Sequence, residues 1–539
     1  MAPLHITVFR PPVLVLHKFS KPVECLALGY LTAALRLDGH TVRMLDGMLY
    51  KWTVKQSVKA ILKTETKILC ITNVVQYFPE ETIQIISQLR ASGFEGIILA
   101  GGHSLSFFPE RILQLVKGLD AVIVGEGEEA IREIAAAVSR GEDWKKCNSV
   151  AFLQEGVFTR NPVNRIKDLD SLPYPARDLT REIIHNDGLV CVSTSRGCYA
   201  RCTFCSVPRF YGLESGKLHG SGDWRPRSVE SIIGEVKSLS QEFHLRELLI
   251  VDDEFFGGSE LGLKRALEFG KAMENLALPL KFTISCRAEN VHEEVFLQLK
   301  KGGLTHVFVG LETGNQEELK LYAKGHSVEQ NRRAVQIIKS LGLTFQPGFM
   351  MINHRSTLQT IKQNIAFLEE LGECKPVTIN SIVDPHFGAP LTDLMAREGA
   401  VLDKGLMLEA QIQDPGVLLM MKVIANCAKA FEPFMNVIAA FHSSVTYEWR
   451  REIPGRSEET RQLLDAFEDF VNRGFVSVVK EMLDEMEPGG YTPERILKLT
   501  ASKIRKIKQQ LSVFVPQVVE CVTSKEGDLR YYSQQELIN

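Results

Sequence analysis

Short apolar runs alternate with amphipathic helical stretches along most of this chain, in two blocks separated by a proline-punctuated connector. That rhythm is the tightest constraint on the fold, because a strand, a crossover helix and a further strand form a parallel βαβ unit. In the first block, strands are expected at His5–Phe9, Thr41–Leu45, Lys67–Ile71, Gly96–Ala100 and Ala121–Val124, each followed by a helical pattern. They predict a doubly wound α/β domain over residues 1–140. In the second block, strands at Leu189–Ser195, Glu247–Val251, Lys281–Ser285, His306–Gly310, Thr344–Met350 and Val377–Asn380 predict a partial (βα)6 barrel over residues 189–396. Residues 141–188 read as a linker, with a small hairpin at Ser149–Asn161 and a segment stiffened by Pro173 and Pro175. From 397 to 539 helical periodicity dominates, with breaks at Pro454-Gly455, Pro488-Gly489-Gly490 and Pro516. This C-terminal helical domain is expected to cap the barrel mouth, and its apolar run Leu418–Ile424 reads as helix core.

In both α/β architectures, ligands gather at the carboxyl ends of the strands. In the first block these ends carry Pro11-Pro12, Asp46-Gly47, Asn73–Phe78, Gly101-Gly102-His103-Ser104 and Gly125-Glu126-Gly127-Glu128. The two glycine-rich turns permit close backbone approach to a ligand and present amides at a helix start.

The second block opens on three thiols, in Gly197-Cys198-Tyr-Ala-Arg-Cys202-Thr-Phe-Cys205. Thiolates are soft ligands that select iron-sulfur clusters, zinc or cuprous copper. A structural zinc site takes four ligands, and no fourth Cys or His lies nearby to complete one. Three ligands on a four-iron cluster leave one iron open. Eleven cysteines, an odd number scattered along the chain, do not read as a secreted disulfide framework. The N-terminus reads as a first strand, not a signal peptide, and no run of about 20 apolar residues reads as a membrane span. The expected compartment is a reducing cytoplasm. A net charge of −3 gives no footprint for nucleic acid or anionic membrane, so the expected partner is a small-molecule substrate.

Cys-x3-Cys-x-Phe-Cys resembles the signature of the radical S-adenosylmethionine (radical SAM) enzymes. The resemblance implies a 4Fe-4S cluster held by Cys198, Cys202 and Cys205, whose open iron chelates S-adenosylmethionine and whose electron cleaves it to a 5′-deoxyadenosyl radical. The preceding block is flavodoxin-like (Rossmann-type). With Leu28-Gly29-Tyr30-Leu31, the two glycine-rich turns and the Asp168–Asp178 connector, it resembles the cobalamin-binding domain of the cobalamin-dependent branch of that superfamily.

The resemblance carries roles onto single residues. Phe204 would abut the adenine, Asp253 and Glu254 in Asp252-Asp253-Glu254 would lie near the amino group, and Arg287, with Ser285, near the carboxylate. Glu312 would bind the ribose hydroxyls, and Gly348 would give close backbone approach. Gly101, Gly102, His103, Gly125, Glu126 and Gly127 would bind cobalamin, His103 as a nucleotide-loop or structural residue and not as a cobalt ligand. The Asp-x-His-x-x-Gly motif that ligates cobalt in some relatives is absent. His17 lies in the corresponding loop without the flanking residues, and Gln76 or Tyr77 would instead face the lower side of the cobalt. A Gly-Pro-Gly-Glu-Thr-like turn is replaced by Met351–Thr357, making Asn353, His354 and Arg355 candidates for substrate contact or for plain loop solvation.

Both cofactors on one chain imply methylation of an unactivated carbon through the deoxyadenosyl radical and methylcobalamin, with an electron donor such as flavodoxin or ferredoxin. The alternative with the same cofactors is an oxidative cyclase or ring-rearranging enzyme. A methylthiotransferase would need a second cluster, for which Cys25, Cys70 and Cys147 are poor candidates, and a non-catalytic cobalamin sensor would not need the cysteine triad. Beyond the cluster ligands no catalytic side chain is assigned. Treated as separate domains, loss of the cysteines is expected to leave cobalamin binding intact.

Overall fold

The computed structural model describes residues 2–13, 22–213, 223–443 and 458–523, so His17 and Pro454-Gly455 lie outside the described residues. The first block forms β1 (His5–Arg10), α1 (Leu26–Leu37), β2 (Thr41–Asp46), α2 (Val54–Leu62), β3 (Ile68–Thr72), α3 (Glu80–Ala91), β4 (Ile97–Gly101), α4 (Pro109–Leu115), β5 (Ala121–Ile123) and α5 (Glu128–Arg140). Strand alternation divides the core between two faces. Ile68 and Cys70 of β3 pack towards α1 and α5, while Leu69 and Ile71 pack towards α2, α3 and α4. A strand covered on both sides must be apolar throughout, which is why β3 reads Ile-Leu-Cys-Ile-Thr.

The hairpin expected in the linker is β6 (Val150–Gln154) and β7 (Val157–Arg160), and it belongs to the sheet. The order is β2-β1-β3-β4-β5-β6-β7, with β1 to β5 parallel and β6 antiparallel to β5. The remaining connector carries α6 (Thr180–His185) and leads to β8 (Cys191–Val192). Glu24, in the loop before α1, accepts from the Cys191 amide at 3.0 Å and the Thr180 hydroxyl at 2.5 Å and pairs with Arg177, so this loop is tied to the barrel's first strand.

The barrel continues through β9 (Ser195–Arg196), α7 (Val207–Tyr211), β10 (Arg225–Pro226), α8 (Val229–Phe243), β11 (Glu247–Ile250), α9 (Glu260–Leu276), β12 (Lys281–Arg287), α10 (Glu293–Lys301), β13 (Leu304–Glu312), α11 (Gln316–Leu321), α12 (Val328–Ser340), β14 (Thr344–Phe349) and α13 (Leu358–Glu370). Its parallel sheet runs β14-β13-β12-β11-β8. Helix starts are capped where the sequence offers a hydroxyl: Ser228, Ser259, Ser327 and Thr357 each accept from an amide of the first turn. Leu248, Ile250, Phe282, Ile284, Val307 and Val309 face the helices, while Val251 and Phe308, 42% and 41% exposed, face the concave side. Large apolar groups left open at the middle of a sheet mark a lumen built to be filled by something else.

The sixth strand expected at Val377–Asn380 is a short helix, α14 (Pro376–Ile379). Pro376 supplies a fixed helical φ at the first position, where its missing N–H costs nothing, and Val377 points to solvent. The next position in the barrel is held by one parallel bridge, Ile352 with Ile382.

After α15 (Pro390–Arg397), a two-stranded ribbon of β15 (Val401–Asp403) and β16 (Leu408–Ala410) precedes α16 (Pro415–Ser443), α17 (Glu458–Met486) and α18 (Pro493–Thr523). Pro516, expected as a break, lies inside α18; a packed helix tolerates the loss of one backbone hydrogen bond. The break at Gly489-Gly490 occurs as expected, both residues adopting positive φ between α17 and α18. The bundle does not sit over the barrel mouth as expected. It packs on α13 and α14 and continues their hydrophobic core, because the inner faces of α16 and α17 are apolar. Val417, Leu419, Met420, Val423 and Ile424 are buried there, as the apolar run implied.

Candidate active site

Gly197 begins the cysteine loop at φ +86°, where a Cβ would overlap the Asp223 carbonyl, so the position requires glycine. Its amide donates to Asp253 Oδ2 at 3.0 Å. Further along, the Thr203 amide and hydroxyl donate to the carbonyls of Tyr322 at 3.0 Å and Leu321 at 2.7 Å, and the Thr203 carbonyl accepts from Leu391 N at 2.6 Å. The loop is thus clamped between the end of β11 and the turn after α11, with Cys202 buried and Cys198 and Cys205 half-buried. Burial pushes the Cys198 thiol up to about 12, helped by the nearby Glu254 and Cys202, and pushes Cys205 higher still. Ionising the Cys198 and Cys205 thiols here takes a strongly cationic centre beside them, which a cluster would supply. Among the described residues no three Cys, His, Asp or Glu side chains converge as they would on a single ion.

The carboxyl ends of the first sheet and of the barrel enclose a cavity of about 340 Å³. Its walls include Leu26, Tyr30, Leu31 and Ile123 from one side, and Ser193, Arg196, Val251 and Asp253 from the other. Gly101, Gly102, His103, Gly125, Glu126 and Gly127 all line it, whereas Gln76 and Tyr77 do not. Asn73 holds the 73–78 loop instead, its Nδ2 donating to the carbonyls of Val75 at 2.7 Å and Tyr77 at 3.0 Å. Gly102 has φ +136°, and a Cβ there would overlap the Asn73 carbonyl oxygen; at Gly101 it would meet nothing closer than 3.5 Å. A cleft with the Gly101-Gly102 backbone and apolar side chains such as Leu26, Leu31 and Ile123 among its walls suits the flat face of a corrinoid. His103 is half-buried, stacks on Phe210 at 4.3 Å and lies 2.9 Å from Ser206 Oγ. Burial lowers it to about 4, so it is a neutral ring. Both carboxylate oxygens of Glu126 are engaged, by Arg196 at 2.7 Å and Arg225 at 2.9 Å.

Around the barrel rim the acidic triplet divides its work. Asp252 accepts from the Thr194 and Ser195 amides at 2.6 and 3.1 Å and from both hydroxyls, which makes it a structural tie. Asp253 and Glu254 keep spare acceptor capacity, and burial raises them to about 6 and about 7. Glu254 is held by Asn290 Nδ2 at 2.8 Å and the Gly257 amide at 2.5 Å. Arg287 is not free for a carboxylate: it donates to Cys202 Sγ at 2.8 Å and pairs with Glu289. Burial would raise Glu289, but His326 and Arg287 hold it down to about 2. Glu312 sits where the β13–β14 register shifts, in the left-handed region at φ +67°. Its Oε1 accepts from Lys324 Nζ at 2.9 Å, both groups buried. A Cβ at Gly310 would come within 2.6 Å of that carboxylate. Phe204 packs edge-on to Tyr322 at 5.6 Å. At Gly348 a Cβ would come within 2.9 Å of the Phe308 ring, so the glycine makes room for that ring in the lumen.

The B12 binding domain family matches residues 12–135, and the Radical SAM superfamily matches residues 192–368, which contain the cysteine loop. This chain is a radical SAM enzyme with a B12-binding domain. Its cofactors are a 4Fe-4S cluster, S-adenosylmethionine and cobalamin. An uncharacterized methyltransferase of Pyrococcus horikoshii is 29% identical over 64% of this chain and 73% of its own length. The 4′-phospho-dehydrooxetanocin synthase of Priestia megaterium is 26% identical over 68% of this chain, a match spanning 51% of that protein. The same architecture occurs in the cobalamin-dependent radical SAM enzyme OxsB with aqua-cobalamin and S-adenosylmethionine bound. There the TM-score is 0.78 at 18% identity, covering 100% of this chain and 83% of that one. It occurs also in the methyltransferase TsrM of Kitasatospora setae, with TM-score 0.58 at 19% identity over 74% of this chain and 78% of that one. Among the described residues no helix is long and apolar enough to cross a membrane.

In this radical SAM enzyme the loop that replaces the family's turn is committed to structure. Asn353 is buried and donates to Glu318 at 2.7 Å and to Tyr322 Oη at 2.9 Å, while His354 and Arg355 both pair with Glu398. Plain loop solvation does not describe Asn353, which is 1% exposed. Sequence reasoning missed Arg196, Arg225, Glu289, Lys324 and His326. Arg196 lies two residues before Cys198 and Lys324-Gly325-His326 follows α11, but nothing local names their partners.

Proposed function

We propose that this enzyme transfers a methyl group from S-adenosylmethionine to an unactivated carbon of a small metabolite. The observation that carries the reading is that one cavity has a wall from each half. Asp253, which holds the start of the cysteine loop, lines the same space as the Gly101-Gly102-His103 and Gly125-Glu126-Gly127 turns. When bound, the cluster supplies the electron for radical formation and the corrinoid carries the methyl group. The chain positions them. Cys198, Cys202 and Cys205 hold the cluster, Asp253, Glu254 and Glu312 receive the donors of S-adenosylmethionine, and Gly102 and Gly125 admit the corrinoid to the backbone. Arg287 shields Cys202. The open lumen around Val251 and Phe308 receives substrate beside these groups.

Corrinoid binding is assigned to residues 1–140 with the β6–β7 hairpin, radical chemistry to 189–396, and a supporting role to the helices beyond 397. The electron donor is a low-potential protein such as flavodoxin or ferredoxin, in a reducing compartment.

Anaerobic reconstitution with cobalamin and methyl-labelled S-adenosylmethionine tests the reading. Methylation gives S-adenosylhomocysteine and 5′-deoxyadenosine in similar amounts, with label in the product. The second reading is an oxidative cyclisation or ring rearrangement, favoured by the similarity to the oxetanocin-type synthase. It gives 5′-deoxyadenosine with no substrate-dependent S-adenosylhomocysteine, and that result would replace the first reading.

A further inference from the structure

Both flanks of the cysteine loop are fastened to the turns at the carboxyl end of the first sheet, which line the cavity. On the leading side, Arg196 donates from Nη1 to Glu126 Oε1 at 2.7 Å and from Nη2 to Glu128 Oε1 at 2.6 Å, with its guanidinium over the Tyr30 ring. Arg225, on the strand paired with Arg196, takes the other oxygen of Glu126 at 2.9 Å. On the trailing side, Ser206, the residue after Cys205, meets the His103 ring at 2.9 Å. These ion pairs are buried, Arg196 being 14% exposed and its two carboxylates 6% and 9%, so water does not screen them. His103, Glu126, Glu128, Tyr30 and Arg196 all line the cavity; Ser206 and Arg225 do not.

We propose that these contacts couple the two cofactor sites, so that corrinoid in the cavity orders the cysteine loop and the assembled cluster raises the affinity for corrinoid. A ligand that fixes the walls of the cavity fixes both anchors of the loop, and the ordering entropy is then met once for two binding events. Such coupling is reciprocal by linkage. The expectation that cluster loss leaves cobalamin binding intact is therefore replaced. Ser206 and Arg225 are positioning residues, acting on the loop without touching the cavity. The inference rests on the reading that corrinoid occupies this cavity.

The test titrates aqua-cobalamin, by absorbance, into full-length protein stripped of iron and into the cluster-reconstituted protein. Wild type is expected to bind at least about fivefold more tightly with the cluster present, the lower end of ordinary coupling. In Ser206→Ala and Arg225→Lys the ratio falls towards one, while the affinity of the cluster-free protein stays within about twofold of wild type. Iron release to a chelator gives the reciprocal readout: cobalamin slows it in wild type and loses that effect in the variants. Ser206→Ala removes a single neutral hydrogen bond and no charge, so it keeps the test open where the buried Arg225 substitution disturbs folding. Cobalamin bound equally with and without cluster in wild type overturns the coupling alone. A wild-type ratio that survives unchanged in both variants overturns these contacts as its carriers. Failure of wild type to bind cobalamin at all overturns the functional reading and the coupling with it.

Discussion

At the residue scale, buried charge governs the site. Glu312 and Lys324 pair at the end of β13, close enough to Gly310 that a Cβ there would displace the carboxylate. Removing one partner leaves an uncompensated buried charge, which costs about 3–5 kcal/mol. Glu312→Gln is expected to lower the urea stability by that order and to abolish S-adenosylmethionine cleavage. The double change Glu312→Gln with Lys324→Met should recover most of the stability and none of the cleavage. His306, in β13 and paired with Thr344 of β14, tests the pH behaviour of the barrel. Burial, with a contribution from Lys375, lowers it to about 4, and Thr344 Oγ1 lies 2.9 Å from its Nδ1. A base whose folded pKa is depressed stays neutral while the unfolded chain takes up a proton. Its contribution is present above the ordinary histidine value and is lost as pH falls from about 6.5 to about 4. Urea midpoints at pH 7.5 and pH 5 should therefore differ more for wild type than for His306→Gln, by on the order of 2 kcal/mol.

At the element scale, the turns at the strand ends line the cavity, and their glycines are not equivalent. Gly102→Ala forces a side chain against the Asn73 carbonyl at a φ of +136°, whereas Gly101→Ala meets only ordinary contact. Gly102→Ala is expected to weaken cobalamin binding at least tenfold, a change of about 1.4 kcal/mol. Gly101→Ala should stay within about twofold, and absorbance titration measures both. The sequence showed that both turns were glycine-rich. It did not show which glycine was indispensable, because that depends on a carbonyl 29 positions away. The same limit explains the sixth strand: Val377 and Ile379 alternate as in a strand, and Pro376 lets them start a helix once the chain is past the barrel's last full strand.

At the scale of the whole molecule, the three C-terminal helices share one continuous core with the barrel. Phe431, fully buried between Phe434 and Phe475, is part of it. Phe431→Ala is expected to cost about 3–5 kcal/mol. Helical signal and barrel tryptophan fluorescence should then be lost in one shifted transition; two separate transitions would show that the bundle folds on its own.

What the sequence determined by itself were the features set by local periodicity and by chemistry carried within one loop. The βα rhythm specified two parallel α/β units because period two and period 3.6 are properties of neighbouring residues. The Cys198, Cys202 and Cys205 spacing placed three thiols in one loop for the same reason. Tertiary structure alone decided the partners. It gave Arg287 to Cys202 and Glu289, Lys324 to Glu312, Glu126 to Arg196 and Arg225, Asn353 to Glu318, and His354 and Arg355 to Glu398. A buried charge must be paired wherever it lies, and the group that pairs it comes from whichever element packing brings within reach. Sequence distance does not measure that reach.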